Sequence, residues 1–68
     1  MIIRGKAANV VARMIYNLAK SSPETMEMNR SGFDGEEKWS SFTFEGKHHV
    51  LVRYEDSNYV GNVISVEM

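Results

Sequence analysis

The sequence predicts an α+β domain in which one N-terminal amphipathic helix packs on a three- to four-stranded antiparallel β-meander. Three observations carry that expectation. Apolar residues recur with helical spacing up to Leu18 and alternate after Pro23, so the period of the pattern changes once. Pro23 marks the change, because it has no backbone N–H to donate and disfavours helical geometry at Ser22. A chain of 68 residues has room for one domain, covering residues 1–68, with two layers around one small core.

The helix is expected over residues 6–21. Ala7, Val10, Val11, Met14, Ile15 and Leu18 follow the i, i+3, i+4, i+7 rule and make its predicted buried face. Lys6, Asn9, Arg13, Tyr16, Asn17 and Lys20 fill the opposite arc of about 100°. Ala8, Ala12 and Ala19 flank the apolar face and let the helix sit close to a sheet. Gly5 is a modest N-cap, and Ile2-Ile3 reads either as a hydrophobic staple or as a short edge strand.

Strands are expected over residues 39–45, 48–55 and 59–67, all rich in Val, Phe, Tyr and Thr. A weaker strand is expected over residues 25–30, with a hairpin signal at Asp34-Gly35 and a bulge signal at Ser31-Gly32. A three-residue loop at Glu45-Gly46-Lys47 sets Phe42 opposite Val50, Phe44 opposite His48 and Ser40 opposite Val52. Phe42, Phe44, Val50, Val52 and Tyr54 then share the core face. Continued across, that register puts Val50 against Ile64 and Tyr54 against Val60. The last strand is expected at a sheet edge, with little to prevent pairing with another chain, and so to allow a homodimer.

Charge is unevenly distributed. The first 22 residues hold four cations and no carboxylate, whereas the rest holds four cations against nine carboxylates. Such a bipolar molecule speaks to partners rather than to fold. The absence of cysteine excludes a disulfide framework and a thiolate metal site, and points to a reducing cytoplasm. No apolar run reaches the roughly 18 residues needed to span a bilayer, and the first residues do not read as a secretory signal, so no membrane role is expected. No cofactor or metal motif is present.

Four groups of residues are candidates for function. Trp39, Leu51, Val63, Arg53 and His49 fall on the sheet face away from the predicted core, with Tyr59 beside them; an exposed Trp with aliphatic neighbours and a polar rim has the composition of a protein-binding patch. Lys6, Arg13 and Lys20 are spaced by seven along the helix and line up to meet phosphates or an acidic partner. Asp34, Glu36 and Glu37 form an acidic turn that would imitate nucleic-acid phosphates; the plainer reading is turn chemistry and solubility. His48-His49 is the one candidate for acid–base work, but adjacent strand residues point to opposite faces.

The fragment Gly46-Lys47-His48-His49 behind a leading helix is similar, over those four residues, to the Gly-Ser-His-His stretch of small RNA-cleaving toxins of the HicA type. Lys47 stands where they have Ser, and no helical pattern follows the last predicted strand. The similarity implies RNA cleavage through His48 or His49 as a third reading. The first reading is a non-catalytic interaction protein that binds a larger macromolecule, in the style of phage and mobile-element inhibitors of host or defence machinery. The second is a nucleic-acid-binding module that uses the basic helix face.

Overall fold

A computed structural model describes residues 1–55 and 62–68. In chain order the elements are β1 (Ile2–Arg4), α1 (Lys6–Ser21), β2 (Met26–Asp34), β3 (Glu37–Phe44), β4 (His48–Glu55) and β5 (Val63–Glu67). All the pairings are antiparallel, and the sheet runs β1-β5-β4-β3-β2, five strands where three to four were expected. The added strand is Ile2–Arg4, which pairs with the end of β5 through Ile3↔Val66. The predicted loop after Glu55 and the positions Tyr59 and Val60 lie outside the described residues.

The helix keeps its expected bounds. Gly5 enters it at φ +71, a left-handed conformation that glycine adopts without strain. Its carbonyl accepts from the Ala8 N–H at 3.1 Å. No carboxylate occupies the first turn, while Lys20 sits favourably in the last, near the negative end of the dipole.

The face that α1 buries differs from expectation. Ala8, Ala12 and Ile15 are buried, Val11, Tyr16, Leu18 and Ala19 pack against the core, and Ala7, Val10 and Met14 face outward, so half of the expected stripe meets the core. At 100° per residue this is a rotation of roughly a quarter turn from the stripe of larger residues. Ala8 and Ala12 bring the helix backbone close to the sheet, with Ile15 buried beside them. Tyr16 leaves the predicted polar arc to set its ring edge-on to Phe42, with centroids 5.2 Å apart.

The β3–β4 register is as expected: Phe42↔Val50, Phe44↔His48 and Ser40↔Val52. The connection is the three-residue loop, with Glu45 and Gly46 at φ +54 and +75. Phe42, Val52 and Tyr54 are fully buried, each large apolar side chain contributing about 1.5–3 kcal/mol. Buried Ser40 accepts a 2.7 Å hydrogen bond from the Tyr54 hydroxyl, so neither polar group is stranded in the interior.

The β4–β5 register is not as expected. Val52 opposes Val66 and Tyr54 opposes Val63, so the pair Val50–Ile64 does not form, while the expected partner Val60 lies outside the described residues. An irregularity between Arg53 and Tyr54 leaves Ile64 as the extra residue on β5. A bulge inverts the alternation on one side of it. Val63 therefore joins the core instead of the outer face, and Ile64 leaves the predicted core. A second correction concerns the edge: β5 is inside the sheet, flanked by β1 and β4, and the long outer strand is β2.

Candidate functional site

The helix covers the sheet unevenly, and that leaves a concavity along one of its flanks. Along the Tyr16 flank α1 meets Phe42 and Tyr54, and Asn9 Oδ1 accepts a hydrogen bond from the Val63 N–H at 3.2 Å. Along the Val11–Leu18 flank it packs only partly against the core and leaves a gap toward the β3–β4 hairpin. A groove of about 910 Å³ opens there, within the size range of binding pockets. Its helix wall is Val11, Met14, Ile15 and Leu18, and its sheet wall includes Met26, Phe44, His48 and Val50. Met14 is 64% exposed, so the helix wall runs continuously into solvent-facing apolar surface.

The polar side chains around this groove are all neutral or basic. Met68, Lys47, His49, Asn17 and Ser21 complete its lining, which holds no Asp or Glu side chain. Arg13 and Lys20 are exposed just round the helix beyond Asn17. The expected basic row Lys6, Arg13 and Lys20 thus lies on one solvent-facing stripe, and two of its members border the outer ridge of the groove.

His48 and His49 occupy opposite faces, as strand alternation requires. His48 lies on the helix side, with its ring centroid 6.3 Å from that of Phe44. His49 opposes Thr43 on the reverse and is exposed. Among the described residues no three His, Asp or Glu side chains gather as a metal site.

The reverse of the sheet carries four of the five residues expected there. Trp39, Leu51 and Arg53 are half-buried, and His49 is exposed; Val63 is absent for the reason given above. Arg53 is held by Glu67 at 3.0 Å, with Glu37 farther away at 3.9 Å. Trp39 leans outward over Gly32 of β2, where an added Cβ would lie 2.8 Å from the indole. A shallow depression joins Trp39, Leu51 and Arg53 to Phe33 and Asp34.

The acidic residues gather at the far end of the sheet. Asp34 opposes Glu37, which opposes Glu55, and Glu36 sits in the connecting turn. One end of the sheet is therefore acidic, while the β3–β4 turn presents Lys47 and the two histidines. Among the described residues no helix is long and apolar enough to cross a membrane.

Sequence reasoning missed the groove because it assigned Met14, with Val10, to the core, and both are exposed. A usable signal was present. The apolar arc from Val10 round through Ala12 spans roughly 200°, more than one sheet contact covers. No family model matches the chain, and no curated protein or solved structure matches it.

Proposed function

We propose that this chain is a small, non-catalytic interaction protein that receives an apolar segment of a protein partner in the groove between α1 and the β3–β4 hairpin. The observation that carries this reading is an apolar concavity whose helix wall is preformed and whose lining includes no Asp or Glu side chain. An amphipathic helix fits such a groove by anchoring apolar residues spaced i, i+3 or i+4, and i+7. Lys47, His48, Arg13 and Lys20 favour carboxylates flanking those anchors, and such rim charges set approach and orientation more than affinity.

A displayed library of random helical peptides, selected on the immobilised protein, tests this. The expected winners combine the apolar spacing with acidic flanks, and they lose binding about tenfold or more on Met14→Asp. Trp39→Ala, on the other side of the sheet, leaves them bound. Failure to select any peptide, or winners indifferent to Met14→Asp, sinks the reading.

A second reading keeps the outer face of the sheet as the docking surface, supported by the half-buried pair Trp39 and Leu51 on a face that carries no helix. The same selection separates the two, because binders to that face respond to Trp39→Ala and ignore Met14→Asp.

A further inference from the structure

We propose that β2 is a self-pairing edge, through which two copies of the chain join antiparallel about a two-fold axis at Gly32. β2 is the outermost strand and is nine residues long, whereas the opposite edge, β1, has three. The self-pairing segment is residues 30–34, the regular stretch between the irregularity at Met28/Arg30 and the turn at Gly35-Glu36.

The backbone has the right parity. Gly35, at φ +69, begins a two-residue turn closed by Asp34↔Glu37, the pattern of a type II′ hairpin. The closing pair of such a hairpin exchanges both its hydrogen bonds, and the pairs then alternate. Asp34, Gly32 and Arg30 thus direct their N–H and C=O groups toward β3, and Ser31 and Phe33 direct theirs to the open edge. A two-fold axis at Gly32 sets Ser31 of each copy opposite Phe33 of the other, so the outward-pointing groups meet one another.

The side chains agree with that register. Arg30 falls opposite Asp34 of the second copy, twice by symmetry, and neither residue has an ion-pair partner among the described residues. The two Phe33 rings, each 64% exposed in the single chain, become diagonal neighbours, a separation that aromatic side chains bridge. Gly32 opposes Gly32 as a closely spaced pair, and each Trp39 indole already leans over its own Gly32 toward the seam. Shifting the axis to Ser31 removes the Arg30–Asp34 match. Shifting it to Phe33 sets Arg30 against Glu36, which is in the turn and outside the strand.

Analytical ultracentrifugation from about 1 µM to 1 mM, with charge-swap variants, tests the seam. The wild type is expected to dimerise across this range. Arg30→Asp and Asp34→Arg each create two like-charge pairs and are expected to weaken dimerisation roughly tenfold or more while leaving the thermal midpoint of the exposed strand's fold unchanged. Mixing the two single variants restores opposite charges at both positions, so the mixture is expected to form a heterodimer that neither makes alone. Amide exchange at Ser31 and Phe33 is expected to slow with concentration, and that at Gly32 to stay constant. A wild type that remains monomeric throughout overturns the proposal. So does a dimer that survives both single swaps, or one lost on Met14→Asp, which would place the contact in the groove.

Discussion

The two flanks of α1 meet the same sheet in different ways. On one flank Tyr16 stands edge-on to Phe42, and Tyr54 closes the interior with its hydroxyl on Ser40. On the other, Val11, Met14 and Leu18 face Phe44 and Val50 across an open groove. Both flanks are apolar, so hydrophobicity alone does not separate them. What separates them is side-chain size along the line of contact. Ala8 and Ala12 draw the helix down, and an aromatic ring fills the space on the Tyr16 side, while among the described residues no side chain fills the groove on the other. An apolar surface left open beside a closed one is the form a docking site takes when its last layer comes from a partner.

Three substitutions sharpen or break this contrast. Phe42→Ala, on the closed side, is expected to cost about 3–5 kcal/mol, because it removes a fully buried ring and leaves a cavity beneath Tyr16. For a domain of this size that approaches the whole folding free energy, and urea denaturation should show little or no native baseline. Ala12→Leu, at the contact itself, is expected to cost about 1–3 kcal/mol by forcing the helix off the sheet. An unchanged urea midpoint would show that α1 does not sit as tightly as its alanines imply. Met14→Gln, on the open side, is expected to stay within about 0.5 kcal/mol of wild type, since that side chain is already largely in water. A large loss there would mean that the groove is closed in solution.

The elements that could be read from sequence are those whose pattern is local. The helix bounds follow from its spacing and from Gly5 and Pro23. The β3–β4 register follows from one short loop, which leaves a single alignment that keeps Phe42, Val50 and Val52 together. Beyond that loop the reading degraded. The bulge that carries Val63 into the core shows no distinctive residue in Val63-Ile64-Ser65, and one unpaired position exchanges the two faces. β2 extends past its predicted end because Arg30 to Asp34 gain pairing from β3, a contact that outweighs the low strand preference of Asn29, Ser31 and Gly32. Of the candidate surfaces, the acidic turn and the basic helix row are where residue spacing put them. The outer patch lost Val63, and the groove came from a rotation of the helix that periodicity does not specify.

By itself the sequence determined one helix, a break at Pro23, a hairpin of known register and a separation of charge between the two parts of the chain. Each of these depends on residues within a few positions of one another. Tertiary packing decided which stripe of α1 meets the sheet, which strand lies at the edge and which side of β5 is buried. Those choices depend on how closely two surfaces approach. Here alanine and a single extra residue in a strand outweighed the larger apolar side chains, because contact distance and strand parity act on every residue of an element at once.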